Sequence, residues 1–130
     1  MIEILLRAHG DLRWVVLLIV VIGIGRAVWG WLSSLPYSKF DRLWGAIVSA
    51  LMDLQILLGF VIFFLLAPPA RPTLWHPALM IGGALSIHLG AIFARRLPEN
   101  RRKHYVHVLA YLVGLLLILL GIRVVRGSLL

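Results

Sequence analysis

Four runs of about twenty mostly apolar residues, near 14–33, 43–66, 75–94 and 105–122, leave this chain little choice of fold. Each is long enough to cross a hydrocarbon core as a helix. In lipid, every backbone N–H and C=O must find its partner within the protein, which a helix arranges for itself. Composition agrees: 62% of the 130 residues are hydrophobic and 14% charged, against roughly one-quarter charged in soluble domains. The expected fold is an all-α integral membrane four-helix bundle, antiparallel and up-down-up-down, with residues 1–130 forming one domain.

The connections, near 34–42, 67–74 and 95–104, are too short to hold a soluble module. The first long apolar run starts after Arg13 and has full spanning length, so it does not read as a cleavable signal. There is no cysteine, which excludes disulfides and thiolate metal sites.

A net charge of +8 could suggest nucleic acid, but the basic residues cluster at the ends of the apolar runs, where membrane topology explains them. One rim carries Lys39, Arg42, Arg95, Arg96, Arg101, Arg102 and Lys103, and the other Arg7, Arg13, Arg71, Arg123 and Arg126. Seven against five favours the first rim as cytoplasmic, with both termini outside. A bacterial inner membrane is the expected location and nucleic acid is not an expected partner. Trp14 and Trp75 fall at one interface and Trp29, Trp31 and Trp44 at the other, as anchoring rings do. Pro68, Pro69 and Pro72 stiffen the outer connection, and Ser38 with Asp41 has the spacing of a capping box opening the second helix.

Small residues at four-residue spacing mark close backbone approach in membranes. Gly23, Ala27 and Gly30 form one such stripe, with Arg26 on the same side; Gly45, Ser49 and Asp53 form another. At about 1.5 Å per residue, Arg26 and Asp53 each lie roughly 12 to 16 Å from the cytoplasmic rim, so the expectation is an intramembrane ion pair between them. Gln55, about 200° round the helix from Asp53, serves a different contact. Gly82, Ser86, Gly90 and Ala94 recur at strict four-residue intervals and predict the tightest helix contact, within the bundle or with another subunit. His88, two positions from Ser86, points to nearly the opposite side. With polar groups on both faces, that helix is expected to touch protein or a bound ligand on both.

Five histidines raise the question of haem b or a quinone. A haem between helices needs two imidazoles at similar depth on facing helices. His88 with His107, and His9 with His76, are the candidate pairs, and rim histidines and arginines can also donate to a quinone carbonyl. His76 and Pro77 read equally as a helix start. No nucleotide loop, nucleophile-base pair or carboxylate pair is present, and no self-contained catalytic motif emerges. Without a broken helix or inverted repeat, transport has little support.

His9 with Arg13 and Trp14, Arg26 with Gly30 and Trp31, Asp41 with Arg42, the segment from Asp53 to Gly59 (DLQILLG), His76 with Pro77, and His88 with Gly90 resemble small bacterial four-helix membrane proteins sometimes called cytochrome b-like. The resemblance implies an integral bundle associated with electron transfer. Trp75 stands where such proteins are expected to carry an acidic residue, and Arg123 and Arg126 where they end in proline and tryptophan. These departures fit an outer rim remodelled against another protein. The leading expectation is an accessory subunit of a respiratory or photosynthetic electron-transfer complex, contacting lipids and other integral membrane subunits. A b-type cytochrome or quinone-reactive protein is the alternative.

Overall fold

A computed structural model describes residues 1–126 as four long helices: α1 (Ile2–Leu32), α2 (Lys39–Leu65), α3 (Trp75–Arg96) and α4 (Asn100–Arg126), with a short 3-10 turn at Pro68–Ala70. Among the described residues there is no strand. All four helices are long and apolar enough to span a membrane. The chain is an integral membrane helical bundle by length and composition.

Three helices start earlier than hydropathy suggests, α2 by a few residues at Lys39. α1 begins at Ile2 rather than near residue 14, because the polar positions of its first three turns suit a helix protruding from the hydrocarbon, with Glu3 in the first turn complementing the dipole. α4 starts at Asn100, so its connection from α3 is only a few residues long. Arg126 closes α4, and its side chain lies outside the described residues.

The helix ends show local causes. α1 stops where Ser34 takes a φ of 51° and Leu35 N–H returns to the Gly30 carbonyl at 3.0 Å, a Schellman-type ending that satisfies an otherwise orphaned carbonyl. α2 starts at the Ser38 and Asp41 pair expected from the sequence: the Ser38 N–H donates to Asp41 Oδ2 at 2.8 Å and the hydroxyl donates at 3.0 Å. At the other end of α2, Arg71 donates to the Leu66 carbonyl at 3.0 Å with its guanidinium over Phe63.

Consecutive helices run antiparallel. Trp44, early in α2, donates to the Ile19 carbonyl at 3.1 Å, while Gln55, later in α2, reaches back to His9. The four helices form a ring, each packed on its two neighbours, and the diagonal pairs make no backbone approach. Side chains fill the axis: Val16, Val20, Val48, Met52 and Ile87 are almost wholly shielded. The α3–α4 seam is the most extensive and the two seams of α2 the least.

The four-residue stripe of α3 makes that major seam, inside the bundle. Ser86 donates to the Ala110 carbonyl at 2.9 Å, Ala94 is fully buried, and a Cβ at Gly90 would collide with the Ala110 methyl. Gly82 faces Leu117, and on the opposing helix the space at Gly121 is taken by Met80. Small residues here let two backbones close up, which supplies dispersion contact where lipid offers no hydrophobic drive.

Candidate functional site

Three polar clusters sit at three depths. At the rim holding the α1–α2 and α3–α4 connections, Arg26 pairs with Asp41, Nε to Oδ1 at 2.9 Å and Nη2 to Oδ2 at 3.2 Å. The expected pairing of Arg26 with Asp53 is therefore corrected. α2 starts at Lys39, which puts Asp53 roughly 21 Å along the helix from that rim, against roughly 9 Å for Arg26. A long guanidinium side chain reaches toward the headgroups, where Asp41 lies. The stripe argument also fails geometrically, because four-residue steps drift, turning Asp53 about 80° from Gly45. Gly45 and Ser49 are buried, and Asp53 faces outward.

Beside this ion pair, the Tyr37 hydroxyl and His107 Nε2 lie 2.6 Å apart, and Tyr111 also stacks on His107. His104, 1% exposed, hydrogen-bonds through Nε2 to the Leu35 carbonyl at 3.0 Å and fills the space that Gly30 leaves on α1. Burial and then the Asp41 carboxylate push the Tyr37 hydroxyl up to about 12. This network ties the loop Ser33–Ser38 to α4. His104 and Tyr37 were missed as site residues because burial of α4's first turn depends on the helix starting at Asn100.

At mid-span, His88 Nε2 meets Asp53 Oδ1 at 2.9 Å, bridging α3 and α2. Both side chains are open to the outside of the bundle, 40% and 57% exposed. His88 does lie opposite Ser86, as the helical spacing requires, and both faces of α3 touch protein.

At the rim of the termini, His9 on α1 and His76 on α3 approach across the diagonal with ring centroids 6.5 Å apart. Gln55 from α2 lies among them, 5% exposed. Its amide nitrogen donates to the His9 carbonyl at 3.0 Å and sits 3.4 Å from His9 Nε2. His76 Nδ1 hydrogen-bonds to the Gly121 carbonyl at 2.9 Å. Among the described residues, His9 Nδ1 and Gln55 Oε1 are buried without a hydrogen-bond partner. A narrow cleft of about 50 Å³ adjoins them, lined by His9, Arg13, Met52, Gln55, His76 and Met80 among others.

A haem b, the question raised by the five histidines, does not fit these positions. His88 is turned outward to Asp53, and His107 Nε2 is engaged with Tyr37, so that pair does not face a common iron. His9 and His76 are close enough, with ring centroids 6.5 Å apart, but the cleft beside them, lined by Val16, Met52 and Met80 among others, is about 50 Å³, far short of a macrocycle. No group of three or more His, Cys, Asp or Glu side chains able to hold a metal gathers among the described residues.

The anchoring tryptophans divide. Trp14, Trp29 and Trp75 are exposed at the rims, as anchors are, while the half-buried Trp44 bonds to Ile19 and the half-buried Trp31 packs on Tyr105. Comparison with protein-family models, with curated proteins and with solved structures finds no match to this chain.

Proposed function

We propose that this protein is an accessory integral membrane subunit that docks another membrane protein against the outer face of α2 and α3. One observation carries the reading: Asp53 and His88 form a pair near the middle of their helices with side chains 57% and 40% exposed. Polar side chains at that depth seldom face acyl chains, because each unsatisfied hydrogen-bonding group costs several kcal/mol there. A neighbouring helix that offers a hydrogen-bonding group would cover them. The larger assembly is of the electron-transfer kind that the resemblance implies, in a bacterial inner membrane with both termini outside. Lipid covers the rest of the bundle's apolar exterior.

Purification from native membranes in mild detergent tests this. The wild-type chain is expected to elute within a larger assembly, and Asp53→Leu combined with His88→Leu is expected to release it as an intact bundle of unchanged melting temperature. A chain that elutes alone from native membranes, or an assembly unaffected by the double substitution, would overturn the reading.

A further inference from the structure

We infer that the cluster of His9, Gln55 and His76 binds the hydroxyl or carbonyl head of a lipid-soluble ring of the quinol and quinone class. The hydrogen bonds already made define what is left over. Both amide hydrogens of Gln55 are directed at His9, one to its carbonyl and one toward Nε2. That leaves Gln55 Oε1 as an acceptor and, with Nε2 in the accepting role, gives His9 an Nδ1–H donor. These two buried atoms lack protein partners, and a buried polar group without one is destabilising. A phenolic hydroxyl satisfies both, donating to Gln55 and accepting from His9; the oxidised carbonyl keeps the second bond.

The surroundings suit a ring with an apolar tail. A second narrow cleft of about 30 Å³ adjoins the first and shares His9, Gln55, His76 and Met80 with it, so a ring enters as the flexible side chains give way. Its remaining wall is apolar, with Gly59, Phe60, Phe63 and Pro77 on the α2–α3 seam, and Phe60 is exposed at the outside of the bundle. The two clefts thus run from a polar end on the bundle axis to a lipid-facing side. Met52 and Met80 line the polar end. Thioethers make favourable contacts with aromatic rings, and their unbranched chains move aside to admit one. Gly59 is also needed here, since a Cβ would press on His9 Cε1 at 3.1 Å.

The test is calorimetric titration of the full chain in mild detergent with decylbenzoquinol and its quinone. Saturable binding at one ligand per chain is expected. Gln55→Met or His9→Phe should each weaken it roughly tenfold, the loss of one buried hydrogen bond. Asp53→Asn, on the separate docking face, should leave it unchanged, so this inference and the docking proposal fail independently. Heat that grows without saturation, as detergent partitioning gives, would overturn the inference and leave the cluster a site for water alone. Saturable binding indifferent to both cleft substitutions would overturn it too. Photo-crosslinking of the wild-type chain with an azido-quinone gives an answer even if a variant misfolds: label between Phe60 and Met80 is expected, and label confined to other segments counts against the site.

Discussion

Arg26 and Asp41 form a two-pronged ion pair in which the acceptor also closes the capping box that opens α2, since the same carboxylate takes the N–H and hydroxyl of the N-cap residue Ser38. One side chain therefore fixes the angle at which α2 leaves the loop and the rotation at which α1 meets it. Asp41 is 6% exposed while the Arg26 side chain keeps 22% exposure, so the carboxylate is shielded from solvent and deleting the guanidinium leaves its charge uncompensated.

Asp41→Asn is expected to lower stability by about 2 kcal/mol, read by denaturant titration in detergent micelles. A double-mutant cycle with Arg26→Gln should show coupling of about 1 kcal/mol or more. Asp53→Asn should change the isolated bundle by less than about 0.5 kcal/mol. The reverse ranking would restore Asp53 as the partner of Arg26.

Gly90→Leu is expected to cost about 3 kcal/mol, because the new side chain meets Ala110 across the tightest seam. Gly25→Ala, at an exposed position with nothing within 4 Å of the added carbon, should instead be neutral or add about 0.5–1 kcal/mol. Thermal melting of both variants in one detergent makes the comparison, and equal losses would show that helix propensity rather than packing sets the response.

Ser34→Gly should stabilise the protein by about 1 kcal/mol. Ser34 holds a φ of 51° in the α1–α2 turn, a region that costs a residue with a Cβ roughly that much and glycine little. The higher melting temperature should come without change in helix content by circular dichroism.

Tyr37 ionises late. Its hydroxyl is pushed up to about 12 by burial and by Asp41, so its protonated form is favoured in the folded protein. The sign follows: the stabilisation is fully present below the ordinary tyrosine value near 10 and is lost as pH rises through about 12. Tyrosinate absorbance of the wild type minus that of Tyr37→Phe should show this late titration. A difference curve centred near 10 would place Tyr37 in solvent.

Much of this architecture is written in hydropathy. The runs that find α2 and α3 do so because spanning lipid demands length and apolarity together, and the Gly82, Ser86, Gly90 and Ala94 stripe reports the α3–α4 seam because only small residues let backbones close there. Gln55 separates correctly from Asp53 by helical angle alone. What hydropathy misses is where helices begin. Lys39 and Asn100 start α2 and α4 earlier than their apolar stretches, and that shift moves Asp41 to Arg26 and brings His104 under Gly30. The shared rim is enough to pair His9 with His76, but that they meet across the diagonal depends on how four helices close into a ring.

The ring gives α2 the least surface shared with its neighbours, and yet each polar cluster has one member on it: Asp41 at one rim, Asp53 at mid-span and Gln55 toward the other. A small roll of this one rod about its own axis would loosen the grip on Arg26, turn the acid away from His88 and withdraw the amide from His9 together. α2 is the keel of the molecule, and whatever steadies it steadies all of its buried and half-buried chemistry at once.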